Sequence, residues 1–191
     1  MDLSRILVGS LVVVWIAMES FVNVRSRLLR HNSPATINRR DRGSGALIVV
    51  GTYLLILFAY FLTVNHVGTM PGWVSYLGNL VMAMGIVVRY GAIMQLGRYF
   101  SPTVKTASDQ VVIQSGWYRV IRHPAYAGIW LIAVGLGLGL DSWVGAVMLA
   151  IGLLGMLGYR IRVEEAALLD HLGADYAEYC RRTWRMFPWV W

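Results

Sequence analysis

Two stretches of the sequence concentrate the side chains with chemistry to offer. In GWYRVIRHPAYAG, residues 116–128, Arg122 and His123 stand immediately before Pro124. Proline lacks an N–H and suits the first turn of a helix. Arg122 and His123 then fall at a helix mouth, where unpaired N–H groups and the positive dipole end also point. That makes an anion site. The same residues also fit a basic anchor to lipid headgroups, with Trp117, Tyr118 and Tyr126 as an interfacial aromatic belt. Residue types alone leave both readings open. The second stretch is VEEAALLDHLGADYAEYCRR, residues 163–182. Glu164 and Glu165 are adjacent, and Glu164, Leu168 and His171 share one helical face. Gly173 breaks the helix, and Tyr176 and Tyr179 share a face of the next one. The two acids either balance Arg160 and Arg162 or bind something cationic.

The elements that must hold these residues are set by composition. Of 191 residues, 57% are hydrophobic and 14% charged. Mean hydropathy is +0.56. A soluble domain carries roughly a quarter charged residues, so a water-soluble enzyme and a disordered chain are both excluded. A formal charge of +7 invites a nucleic-acid reading, which this hydropathy contradicts. The chain reads as an all-α integral membrane protein. Apolar runs at 3–24, 45–64 and 73–96 are each long enough to cross a hydrocarbon core of ~30 Å. Two shorter runs, 125–140 and 143–159, meet at Asp141-Ser142 and form a helical hairpin. Five spans result, followed by short amphipathic helices from Arg160 onward. The first run is too long for a signal-peptide core and has no small-residue cleavage site after it.

Arginine placement predicts the orientation, because cytoplasmic loops are enriched in Lys and Arg. Arg25, Arg27, Arg30, Arg39, Arg40 and Arg42 separate the first two runs. Residues 65–72 contain neither Arg nor Lys. Arg98, Lys105, Arg119 and Arg122 precede the fourth run, only Asp141 marks the next turn, and five arginines follow. The expected topology has the N-terminus outside and the C-terminus in the cytoplasm, with Arg5 as the one dissenting charge. An inner, cytoplasmic membrane of bacterial type is the expected location, with the site facing the cytoplasm. No repeat or linker divides the chain, so one membrane domain is expected: a two-helix part at 1–72 and a site-bearing part at 73–191.

Other features read as structural. The glycines of GLGLGL, 135–140, lie in an apolar run and not after a strand, so they serve close helix packing and not a dinucleotide loop. Gly152, Gly155 and Gly158 form a second small face, expected to meet the first within the hairpin. Glu19 is an intramembrane carboxylate, expected to pair with Arg25 one turn away or to snorkel, with a catalytic role as the sharper alternative. Cys180 is the single cysteine, so no intrachain disulfide can form. No metal site is expected.

An Arg/His cluster and a Glu pair at one membrane mouth suit a ligand with a carboxylate, an ammonium and a sulfonium. S-adenosylmethionine has all three. In combination, LGRYFSPTV at 96–104, Arg-His-Pro-x-Tyr at 122–126, the Glu pair, and Gly-x-x-Tyr-x-x-Tyr at 173–179 resemble the isoprenylcysteine carboxyl methyltransferase family of membrane methyltransferases. That family includes phospholipid methyltransferase-like members. The likeness runs from about Arg89 to Pro188 and leaves the first two runs unmatched. It implies S-adenosylmethionine as donor, S-adenosylhomocysteine as product, and a cytoplasmic cofactor pocket. It assigns the cofactor to Tyr118, His123, Pro124, Tyr126, Glu164, Glu165 and Tyr176. It assigns catalysis to Arg122 with Glu164 or Glu165.

The expected acceptor is lipophilic and enters sideways from the bilayer among membrane lipids. A carboxylate acceptor needs a cation to hold it, and Arg122 can do so in bidentate fashion. An amine acceptor needs a base, which a Glu can supply. An isoprenylcysteine-like carboxylate is the first expectation. A phospholipid amine or another small isoprenoid is the alternative. A small transporter or assembly subunit fits less well, since Glu19 and Arg89 are the only clear intramembrane charges. A membrane reductase would be longer.

Overall fold

The computed structural model describes residues 3–31, 41–101 and 111–191. Arg39, Arg40, Lys105 and the 102–104 end of the LGRYFSPTV motif lie outside the described residues. The helices are α1 (Leu3–His31), α2 (Ser44–Val64), α3 (Gly72–Leu96), α4 (Pro124–Gly139), α5 (Trp143–Leu172) and α6 (Ala174–Arg182). Single 3-10 turns cover Gly97–Tyr99 and Gly116–Arg119. Among the described residues, α1, α2, α3 and α5 are long and apolar enough to cross a membrane, and α4 is a shorter apolar helix. These are the five runs expected from the sequence.

Two helices outlast their apolar runs. α1 continues to His31 and α5 to Leu172. An apolar run marks where the surroundings change, not where backbone hydrogen bonding stops. Beyond Tyr159, α5 is carried by strong helix formers such as Ala166, Ala167, Leu168 and Leu169. The first charge past the run, Arg160, is fully partnered: it donates to Tyr126 Oη at 3.1 Å, to Ser44 Oγ at 2.8 Å and to the Asp41 carboxylate. Gly173, with φ +55°, ends α5 as expected.

The glycine faces are used differently from the expectation. Those of α4 meet α3 and not their counterparts on α5. A Cβ added at Gly135 would stand 2.3 Å from the Met82 backbone nitrogen, and one at Gly128 2.6 Å from Arg89 Cβ. From the other side, a Cβ at Gly85 would stand 2.7 Å from Ile132 N, and one at Gly78 2.4 Å from Gly139 N. Small residues on both helices let the backbones touch, and dispersion contacts then hold them. On the α5 side, Gly137 fits against Ala146, whereas Gly152 receives Leu55 of α2 and Gly155 faces open space. The hairpin brings no glycine face onto another because α3 already occupies the small face of α4.

The hairpin turn is closed by polar capping. Ser142 Oγ accepts from Gly145 N at 3.1 Å and donates to Val67 O at 2.9 Å. Asp141 Oδ1 accepts from Met70 N at 3.0 Å, tying this turn to the α2–α3 connection.

Replacing Gly135 by Ala should separate α3 from α4 and destabilise the detergent-solubilised protein by about 1–3 kcal/mol, the usual cost of overpacking. Gly155→Ala should leave the thermal midpoint unchanged. Equal midpoints for the two variants would contradict close α3–α4 packing.

Candidate active site

The site grows from the first residues of α4. Pro124 stands in its first turn, as the missing N–H predicts. The chain then folds back onto its own end. Arg122 N donates to Trp184 O at 2.7 Å, Trp184 N to Val120 O at 3.0 Å, and His123 N to Arg185 O at 2.9 Å. This short parallel pairing fixes the backbone that carries Arg122 and His123.

Glu165, buried on α5, gathers the charges. Arg122 Nε donates to its Oε1 at 2.9 Å, and Arg185 Nε donates to its Oε2 at 2.9 Å. His123 Nε2 lies 3.4 Å from Oε1. Arg122 also donates through Nη1 to the carbonyls of Cys180, at 3.0 Å, and Thr183. One carboxylate thus ties the mouth of α4 to α5 and to the segment after α6. Charge-assisted bonds of this kind are short and strong.

Glu164 points elsewhere. Tyr126 Oη donates to it at 2.6 Å, and Arg160 Nε donates to the same Tyr126 oxygen. The His123 and Tyr126 rings stack with centroids 5.5 Å apart. Glu164 lines a cleft enclosing about 940 Å³, partly open to solvent, together with Arg122, His123, Tyr118 and Tyr176. Leu168 and Leu172 add apolar wall, whereas His171, grouped with them by spacing, is exposed and not part of it.

Of the residues expected from the sequence, Tyr118, Arg122, His123, Tyr126, Glu164 and Tyr176 all border this cleft. Glu165 and Pro124 stand behind it, as the charge hub and the helix start. The tyrosines are held neutral. Burial pushes the Tyr118, Tyr176 and Tyr179 phenols up, with carboxylates adding to the effect at Tyr118 and Tyr176. Tyr179 Oη donates to Tyr118 O at 2.7 Å, locking α6 under the mouth.

A second cavity, of about 1110 Å³, lies between α1, α2 and the start of α4. Its walls include Trp15, Ile48, Ile56, Ile129 and Leu157. Arg89 and Glu19 also line it. Phe100, Ser101, Tyr126 and Arg160 border both cavities and form the partition between them. Glu19 is paired, as expected, but with Arg89 across the helix interface and not with Arg25. Arg89 Nε and Nη2 both reach its carboxylate, the latter at 2.9 Å.

The residues missed from the sequence are Arg160 and Arg185, together with the Glu19–Arg89 partnership. Arg160 and Arg185 looked like two more topology charges. Only a partner many residues away distinguishes them from the rest.

Fold and site together describe a membrane protein with a charge-bearing ligand cleft at its helix ends and an apolar cavity beside it. Residues 77–170 match the model of the isoprenylcysteine carboxyl methyltransferase (ICMT) family. Protein-S-isoprenylcysteine O-methyltransferase A of Arabidopsis thaliana is 29% identical over 154 residues, covering 77% of this chain and 78% of that one. The Saccharomyces cerevisiae protein-S-isoprenylcysteine O-methyltransferase is 34% identical over 118 residues, covering 61% and 49%. A solved structure of the eukaryotic intramembrane Ras methyltransferase ICMT superposes with a TM-score of 0.60 at 25% identity, covering 76% of this chain and 52% of that chain. The chain therefore spans about half the length of that structure and of the yeast relative. The segment that builds most of α3, α4 and most of α5 matches the model of the isoprenylcysteine carboxyl methyltransferase family, and the chain shares the all-helical membrane fold of the solved ICMT structure.

The site also makes a pH prediction. Burial raises the pKa of the Cys180 thiol, against the pull of Arg122. At pH 8 the thiolate fraction is therefore below that of a free cysteine. Maleimide labelling of the folded protein should be slower than that of a free thiol at pH 8 and should accelerate as pH rises. Labelling at the free-thiol rate at pH 8 would contradict this packing.

Proposed function

We propose that the chain is an S-adenosylmethionine-dependent methyltransferase acting on a lipophilic acceptor held in the membrane, with an isoprenylcysteine carboxylate as the acceptor that fits best. The observation that carries the reading is the pair of cavities meeting at Tyr126 and Arg160. One, at the mouth of α4, sets Arg122, His123 and Glu164 among apolar walls. The other is apolar and lies among the spans.

The cleft at the mouth of α4 suits the donor. Glu164 can receive an ammonium, Arg122 and His123 at the helix mouth can receive a carboxylate, and Tyr118 and Tyr176 offer ring faces to a sulfonium. Leu168 and Leu172 supply apolar surface for a flat base. When bound, the cofactor supplies a methyl group on a positively charged sulfur.

The chain's own residues then have separable roles. Glu165 with Arg122, His123 and Arg185 holds the mouth in shape. Glu164 and Tyr126 face the donor. Arg160 and Arg89 border the apolar cavity with their charges already met by Asp41 and by Glu19, so an anionic acceptor binds there by displacing a resident carboxylate. Arg122, carried over as the catalytic arginine, spends Nε and Nη1 on Glu165 and on backbone carbonyls, so a positioning role suits it better. The acceptor oxygen forms its new bond to the methyl carbon as the carbon–sulfur bond breaks, and the electron pair stays on sulfur. Charge is neutralised in that step, so exclusion of water by the apolar walls assists it. Residues 73–191 carry the donor cleft, and residues 1–72 contribute walls of the acceptor cavity.

Protein purified in detergent should bind S-adenosylmethionine or S-adenosylhomocysteine by calorimetry. Glu164→Gln should weaken that binding about tenfold, the loss of one charge-assisted bond. Arg160→Gln should lower carboxyl methylation about a hundredfold, the scale of one lost transition-state charge contact, and weaken donor binding by less than that, since Arg160 borders the donor cleft at the partition, where it donates to Tyr126. Binding of a nicotinamide cofactor in place of both compounds would overturn the reading. We also propose the orientation with the N-terminus outside. Cysteines introduced at Asp141 and Asp175 should then label from opposite sides, outside and cytoplasmic respectively, and labelling from one side would refute it.

A further inference from the structure

Glu19, the partner of Arg89, is not accounted for by any role above. Both residues line the apolar cavity. Arg89 presents two nitrogens, Nε and Nη2, to the two oxygens of one carboxylate. This fork is the geometry in which arginine binds a carboxylate ligand. Its third nitrogen, Nη1, donates to Ala125 O at 3.1 Å, so the guanidinium is anchored on the first turn of α4, one residue from Tyr126. Its fork therefore opens into the cavity close to the partition where methyl transfer would occur. The carboxylate that fills the fork comes from α1, which lies outside the matched family segment. Trp15 Nε1, one turn earlier on the same helix, donates to Glu19 Oε1 at 3.3 Å. Of the two partners Glu19 is the more exposed, 28% against 12% for Arg89. The carboxylate is thus the partner with room to leave.

We propose that Glu19 is a resident stand-in for the acceptor's carboxylate: it fills the Arg89 fork in the empty cavity and is displaced when an anionic acceptor enters. Glu19 is then an internal competitor that sets how tightly an anionic acceptor binds. An acceptor must outcompete a tethered carboxylate, which only another well-placed anion can do. A neutral or cationic head leaves Arg89 with Glu19 and gains nothing from the fork. The pair also keeps a buried guanidinium compensated while the cavity is empty, since an unpartnered charge there would be costly. This inference rests on the carboxyl-methyltransferase reading.

The test uses an S-farnesyl N-acetylcysteine and its carboxamide, bound to the full chain in detergent with S-adenosylhomocysteine present. The wild-type protein should bind the acid. Glu19→Gln should tighten binding of the acid about tenfold, because the vacated guanidinium keeps its need for a negative partner, while affinity for the carboxamide stays within twofold. Glu19→Asp, which keeps the charge, should behave as wild type. A purely structural pair would move acid and carboxamide together, or neither, and either result overturns the proposal. Should Glu19→Gln fail to fold, Trp15→Phe, which removes one hydrogen bond to Glu19, must shift the acid-to-carboxamide ratio in the same direction. An unchanged ratio there overturns it as well. Wild-type protein that binds S-adenosylhomocysteine but not the acid would overturn the carboxylate-acceptor reading together with this one.

Discussion

One carboxylate sets the geometry of the whole mouth. Glu165 receives Arg122, Arg185 and the approach of His123, and these residues come from the start of α4 and from the segment after α6. A buried acid with one cation would be only a compensated charge. With two arginines it becomes a joint, because each fixes a different part of the chain relative to α5. Removing the acid would strand the buried Arg122 guanidinium and release Arg185 to solvent. The adjacent Glu164 is thereby left free of structural duty. Consecutive residues on a helix point about a hundred degrees apart, so the same dipeptide can hold the frame with one side chain and face the cleft with the other.

Around that joint the packing is graded. α3 and α4 touch backbone to backbone through Gly78, Gly85, Gly128 and Gly135. α2 lies against α5 through side chains and through the Asp41–Arg160 ion pair. α1 is the most exposed helix, and it reaches the site through Glu19. The closest backbone packing is thus between α3 and α4, and the more exposed α1 and α2 wall the apolar cavity. A cleft for a cofactor of fixed shape benefits from rigidity. A cavity that receives a lipid chain benefits from walls that can yield.

Much of this was legible in the residues themselves. The five apolar runs, the proline in the first turn of α4, the break at Gly173 and the shared face of Tyr176 and Tyr179 follow from local rules of period and backbone freedom. So did the cleft residues, because Arg122, His123, Tyr126 and Glu164 sit in compact motifs. Long-range pairing was not legible. Arg160 and Arg185 belong to a background of sixteen arginines, and nothing near them in sequence marks them out; Arg89 stands out inside an apolar run, but its partnership with Glu19 does not. Their partners Asp41, Glu165 and Glu19 come from other elements. The destination of the glycine faces was misread for the same reason: periodicity says which face is small, not which neighbour arrives there. The continuation of α5 past Tyr159 was hidden because hydropathy reports the solvent around a helix and not its hydrogen bonds.

The parallel pairing of Val120, Arg122 and His123 with Trp184 and Arg185 has a consequence for biosynthesis. Chains emerge N-terminus first and tend to organise in that order. The five apolar helices can enter the bilayer and pack while the partners of Arg122 and His123 have yet to be translated. During that interval Glu165 lacks Arg185, and the mouth of α4 lacks the backbone that aligns it. A nascent chain halted before Thr183 would be inserted yet inert. Residues 184 and 185 therefore complete a mouth whose other walls all precede them in the chain.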